Sequence, residues 1–152
     1  MAPGRFSSDP SLTQVETRLR VRYAETDRMG IVYHTHYIVW FELARTEFCR
    51  AAGLPYRVME EQGILILVTS VECRYRSPAT YDDGIRVSAR MPELSGRGLA
   101  FDYRIDREDG RTLAEGRTAH VFAGADGRPK RAPQEIVEMF ERFRKVPSSL
   151  GR

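Results

Sequence analysis

Cysteine and histidine are scarce in this chain, at two and three residues in 152, and the shortage removes two kinds of chemistry at the outset. Cys49 and Cys73 fall in an expected helix and an expected strand, without the paired spacing of a zinc site or redox motif, so they read as reduced buried thiols. His34 and His36 are two apart, which turns them away from each other on a helix, and no Glu or Cys completes a tetrahedral set with them. Neither a metal nor another cofactor is expected. Long apolar runs are also missing: nothing approaches the roughly 20 residues that cross a bilayer, and Met1 to Leu12 lacks the apolar segment of a signal peptide. The expected compartment is the cytoplasm. No P-loop, dinucleotide glycine pattern or aromatic-basic signature interrupts the chain, and that excludes nucleic acid as the expected partner. The net charge of +3 favours anionic partners without choosing among them.

What is present is the content of one ordinary domain. With 41% hydrophobic and 30% charged residues, the composition is that of a soluble globular protein. A domain of this length buries about 70% of its unfolded surface, which supports one core and not two. The expected organisation is an N-terminal tail over 1–14, a single domain over 15–146 and a C-terminal tail over 147–152, with no internal repeat.

Val15 to Tyr23 alternates apolar or hydroxylic residues with charges, the pattern of a half-buried strand. Apolar residues at 37, 41, 44, 48 and 51 then follow helical spacing, and Trp40, Leu43 and Ala52 widen the stripe, which predicts a mostly buried helix. Its first turn begins near His34, and Gly53 and Pro55 stop it. Leu54 to Gly63 reads as a connector with room for one helical turn. Four strand patterns follow, over Ile64–Arg76, Gly84–Glu93, Gly98–Arg107 and Arg111–Phe122, with reversals at Ser95-Gly96-Arg97-Gly98 and at Asp109-Gly110. These strands read as an antiparallel meander. Pro133 to Phe140 starts a short amphipathic helix with proline in its first turn. One long helix wrapped by a curved sheet, an α+β arrangement, lets each element bury the other's apolar surface.

Chemistry concentrates between Ala24 and Tyr37. Asp27 sits in a polar turn closed by Gly30, and the chain then enters the helix, whose unpaired N–H groups and dipole favour developing negative charge. A carboxylate beside an oxyanion site is the minimum equipment for hydrolysing an activated ester. Alone, however, Asp27 equally fits an ordinary turn or cap.

The run from Asp27 through Gly30 to Val32-Tyr33-His34-x-x-Tyr37, with Phe41-Glu42-x-Ala44-Arg45 in the following helix, resembles the signature of hotdog-fold acyl-CoA thioesterases of the hydroxybenzoyl-CoA thioesterase type. The resemblance covers about Val15 to Phe143 in element order. It implies the hotdog fold and thioester hydrolysis with Asp27 as the catalytic carboxylate, nucleophile or general base. It further implies that the backbone amide at His34 polarises the thioester carbonyl, more than its imidazole does. Gly30, Val32, Tyr33 and Tyr37 are then expected along the substrate site, and Arg128, Lys130 and Arg131 at the phosphates of coenzyme A. The thioester would be carried by coenzyme A or by an acyl carrier protein. A homodimer or a tetramer of dimers is expected, because a lone protomer leaves a sheet edge uncovered. Glu42 is a rival base, but its spacing of three from Arg45 reads as a helix ion pair. Glu25 is given no role beyond a strand-end or solvated charge, His36 a place at the helix start, and His120 a structural one. A non-catalytic acyl-CoA-binding protein with the same pocket is the alternative from another class. A hotdog dehydratase would show an Asp/His pair or a histidine-phenylalanine-proline motif, which is missing.

Overall fold

A five-stranded sheet curls around one long helix in the computed structural model, which describes residues 6–146. The elements are β1 (Val15–Arg20), a short 3-10 turn (Tyr23–Glu25), α1 (His36–Ala51), α2 (Tyr56–Glu61), β2 (Leu65–Tyr75), β3 (Gly84–Leu94), β4 (Gly98–Arg107), β5 (Thr112–Ala123) and α3 (Gln134–Arg144). This is the order read from the sequence, in the hotdog arrangement. Of the expected tails over 1–14 and 147–152, residues 1–5 and 147–152 lie outside the described residues. Residues 6–14, placed ahead of the domain by sequence, pack on it: the Phe6 ring lies 4.9 Å from both the Arg90 and Arg104 guanidinium groups, and Leu12 is buried.

Strand order corrects the expected meander. The sheet runs β1-β3-β4-β5-β2, all neighbours antiparallel, so β3, β4 and β5 form a meander while β2 pairs with β5 at the far edge. The reason lies in the link after β2, where Ser77-Pro78-Ala79 offers no tight-turn chemistry and proline favours extended chain before it. The chain therefore travels past the mouth of α1 before entering β3, and Val32 N–H donates to the Ala79 carbonyl on the way (2.9 Å). The β4–β5 hairpin also differs in detail, since only Gly110 takes positive φ and Arg107 pairs with Arg111 across a three-residue loop.

α1 buries Tyr37, Trp40, Phe41, Ala44, Phe48 and Cys49 against the sheet. Phe41 stacks on Tyr103 at 4.3 Å between ring centroids, and Phe48 meets Phe101 edge to face at 5.3 Å. Such pairs add about 0.5–1.5 kcal/mol each beyond the area they bury. The close approach depends on Gly116, where a Cβ would sit 2.4 Å from Phe41 Cζ and 2.5 Å from the Glu72 carbonyl oxygen. Contrary to the expectation of a mostly buried helix, Leu43 and Val39 stay 45% and 46% exposed. The sheet wraps one side of the helix only. The Glu42–Arg45 ion pair is likewise corrected: no ion pair joins the two among the described residues, Arg45 is half-buried near the Tyr103 and Tyr56 hydroxyls, and Glu42 faces solvent.

Candidate functional site

Between the 3-10 turn and α1 the chain makes a small closed loop. Thr26 bridges Val32, Asp27 N–H donates to the Ile31 carbonyl at 2.9 Å, and Gly30 N–H returns to the Asp27 carbonyl at 2.9 Å. Gly30 takes φ +81, a conformation that side chains with a Cβ rarely adopt. Asp27 Oδ1 accepts the Met29 N–H at 2.8 Å. The turn-forming role of an ordinary aspartate is thus fulfilled by one oxygen, and Oδ2 has no hydrogen-bond donor among the described residues.

The loop leads into a turn at His34 and Thr35. Tyr33 N–H donates to the Glu25 carbonyl at 2.8 Å, and His36, Tyr37 and Ile38 N–H close back on the carbonyls of Tyr33, His34 and Thr35. The N–H groups of His34 and Thr35 take no acceptor among the described residues, as the start of a helix requires. α1 begins at His36, two residues later than the sequence reading put it, so His34 sits in the lead-in turn. His36 is half-exposed at the first helical position.

Beside this turn lies a cleft of about 350 Å³ walled by Ile31, Val32, His34, Tyr37, Tyr75, Arg76, Ser77 and Pro78. Val32 and Tyr37 are buried walls, and the Tyr37 hydroxyl accepts the Ala79 N–H at 3.3 Å. Asp27 does not wall the cleft itself, and its loop is joined to the cleft by the backbone pairing with Ile31. Tyr33 turns outward and is 45% exposed. Tyr75, which reasoning from the sequence passed over, comes from the end of β2 and donates its hydroxyl to the His34 carbonyl at 2.8 Å. Tyr75 shares a face of β2 with Cys73, but it is 46% exposed, so strand alternation marks neither a facing side chain nor a function there.

Glu25 corrects the sequence reading most clearly. It is 4% exposed, its Oε1 accepts Arg22 N–H at 2.8 Å, and its Oε2 accepts the buried Trp40 Nε1–H at 3.0 Å. Burial opposes its charge, but those bonds and the nearby Arg22 guanidinium outweigh the penalty and hold the carboxyl below the ordinary glutamate range. Through Trp40 and the Tyr33 N–H, Glu25 ties the Asp27 loop to α1.

Arg128, Lys130 and Arg131 are not brought to this cleft. Pro129 bridges Ala123, which pairs with Leu65 at the start of β2, whereas Tyr75 closes the other end of that strand. Ten residues of extended chain separate the two ends by about 33 Å. Lys130 and Arg131 instead line a groove with Arg97, Val121, Phe122 and Pro129. His120 is buried, with Nε2 2.7 Å from Thr118 Oγ1, and burial with the nearby Arg45 charge presses its pKa down to about 3, so it stays neutral. Burial pushes the Cys49 thiol up to about 12 and leaves it unreactive. No three His, Cys, Asp or Glu among the described residues converge as a metal site would require.

Comparison with known proteins supplies a family for this geometry. Residues 21–140 match the model of a thioesterase-like superfamily. An acyl-CoA thioesterase of Haemophilus influenzae is 30% identical over 130 residues, which span 83% of this chain and 93% of the relative. Among solved structures, a hypothetical protein from Thermus thermophilus has a TM-score of 0.80 at 41% identity, covering 84% of this chain and 98% of that one. A DHNA-CoA thioesterase from Staphylococcus aureus has a TM-score of 0.81 at 30% identity, covering 85% and 89%.

Proposed function

Because the chain belongs to the thioesterase-like superfamily, we propose that it hydrolyses acyl thioesters of coenzyme A to the free acid and the thiol. The observation that carries the reading is one continuous segment beside an apolar cleft that presents a carboxylate oxygen without a donor, and two backbone N–H groups without acceptors, among the described residues. Asp27 serves as nucleophile, through a mixed anhydride, or as the base that activates water. The N–H of His34 receives the charge that develops on the thioester oxygen, a contribution worth about 3 kcal/mol for one such donor in other hydrolases. Gly30 shapes the loop, and Val32 and Tyr37 border the acyl group. Tyr33 borders the open side of the site. The same chemistry serves acyl-carrier-protein thioesters, so the assay takes both. A panel of acyl-CoA and carrier-protein thioesters, followed by free-thiol release, should show turnover of at least one member. Tight binding with no release from any of them would replace this reading with a non-catalytic binder.

We propose further that the working unit is a homodimer, alone or paired into a tetramer. Among the described residues β2 pairs only with β5 and leaves its other edge open, with Val68 and Val71 at 45% and 40% exposure. Tyr23, Met29 and Tyr33 stand exposed around the Asp27 loop, an apolar rim that invites a covering surface. Two β2 strands paired antiparallel about a two-fold axis would lay the partner's Leu65 end beside this Tyr75 end. That brings Arg128, Lys130 and Arg131 of the partner subunit toward this cleft, where their charge suits the phosphates of coenzyme A. Light scattering should give a mass of twice or four times 17.4 kDa at micromolar concentration. A monomer would remove the shared site. No helix among the described residues is long and apolar enough to cross a membrane.

A further inference from the structure

The His34 carbonyl, in the turn that precedes α1, is held from two sides. It accepts Tyr37 N–H at 3.4 Å, a long bond, and the Tyr75 hydroxyl at 2.8 Å, a short one that comes from 41 residues away on the sheet. Tyr75 is itself fixed. Its backbone pairs with Ala114 of β5, and its ring stands edge-on to Tyr37 at 5.1 Å and to His34 at 6.2 Å. A trans peptide is planar, so holding the His34 carbonyl fixes the Thr35 N–H on the opposite side of the same plane. It also restrains the His34 Cα, from which the adjoining plane with the His34 N–H hangs.

We propose that Tyr75 is a positioning residue for hydrolysis: its hydroxyl, by holding the His34 carbonyl, aims the N–H groups of His34 and Thr35 at the thioester oxygen. The inference rests on the thioesterase reading of the same site. Its physical basis is that preorganised donors stabilise the transition state more than the ground state only when their direction is fixed beforehand. Without the phenol, the turn falls back on the 3.4 Å bond from Tyr37 N–H, which keeps the fold while leaving the peptide planes freer to rock. The hydroxyl is suited to a purely donating task, since burial and the neighbouring Cys73 push its ionisation above the ordinary tyrosine range.

Tyr75→Phe keeps the ring as a wall of the cleft and deletes only the donor. On a thioester that the wild type hydrolyses, kcat should fall about tenfold to a hundredfold with KM changed less than about threefold, below the 10²–10³ lost when an oxyanion donor itself is removed. The Kd for a CoA S-alkyl thioether, which has no carbonyl to polarise, should match the wild type. A distorted cleft would weaken the thioether as well, so this pair of measurements separates aiming from general damage. A kcat within twofold of wild type, or parallel losses in kcat and thioether binding, would overturn the proposal. Asp27→Asn run alongside distinguishes the failures. If that variant is inactive and Tyr75→Phe is fully active, only the positioning role fails; if the wild type hydrolyses no thioester, both readings fail together. Should Tyr75→Phe not fold, Cys73→Ala, which loosens the strand end and retains the Tyr75 hydroxyl, should keep kcat within about twofold of wild type; a fall of about tenfold or more would overturn the role given to the hydroxyl.

Discussion

Asp27→Asn should lower kcat about a thousandfold or more while leaving KM and thermal stability near their wild-type values. The geometry makes this an unusually clean substitution. The replacement amide would keep an oxygen to accept the Met29 N–H, now 2.8 Å from Oδ1, and the backbone pairings with Ile31 and Gly30 do not involve the side chain. What disappears is the negative charge at Oδ2, the only part of the residue not already committed to the loop. Glu42→Gln is the matched control for the rival carboxylate. Helical spacing alone assigned Glu42 an ion pair with Arg45, and on that basis its loss should have cost stability; with Arg45 directed to Tyr56 and Tyr103, the substitution should change neither stability nor turnover appreciably. Steady-state kinetics and melting curves on the two variants decide the matter. Near-normal turnover by Asp27→Asn together with a dead Glu42→Gln would move the chemistry onto α1 and sink the assignment.

Glu25→Gln should be the most destabilising of the near-isosteric changes around the site. The native carboxylate uses one oxygen for Arg22 N–H and the other for Trp40 Nε1–H, so it needs two acceptors. Glutamine supplies one, and its amide nitrogen must face a donor. Leaving a buried donor unmatched costs about 1–3 kcal/mol, which for a domain of this size lowers Tm by about 2–4 °C per kcal/mol. The pH dependence follows from the direction of the shift. A folded-state carboxyl held below its unfolded value of 4.5 stabilises fully above that value, and the stabilisation is lost as pH falls through the folded value. The gap in Tm between wild type and Glu25→Gln should therefore be widest near neutrality and close as the pH falls from 4.5 through the lower folded-state value. A gap that stayed constant from pH 7 to 3 would show that the charge of Glu25 is not what the fold uses.

Local patterns in the sequence were enough for the element order and for the Asp27 loop, because each depends on residues close together in the chain. The helical spacing of Tyr37, Phe41, Ala44 and Phe48, the stop at Gly53, and the positive φ of Gly30 are all short-range facts. Pairing of β2 with β5 is not, since it depends on where an eight-residue link carries the chain and on what the helix mouth offers it. Glu25 and Tyr75 were missed for the same reason. A charge at the end of a strand pattern looks solvated until Trp40, fifteen positions later, folds over it, and Tyr75 meets His34 only when the sheet curls around α1. The basic cluster was legible as charge, whereas its distance from the cleft within one protomer needed the register of β2 on β5.

The chain has a single tryptophan, and it is Trp40. Its indole is 1% exposed, 5.0 Å from the Tyr37 ring, and bonded through Nε1 to Glu25. All of the indole emission of the protein therefore arises at the joint between the Asp27 loop and α1. The molecule carries its own optical reporter there: loosening of that joint, by acid, by substitution or by a ligand pressing on Tyr37, registers as a change in one indole, excited apart from the tyrosines at the red edge of the absorption band.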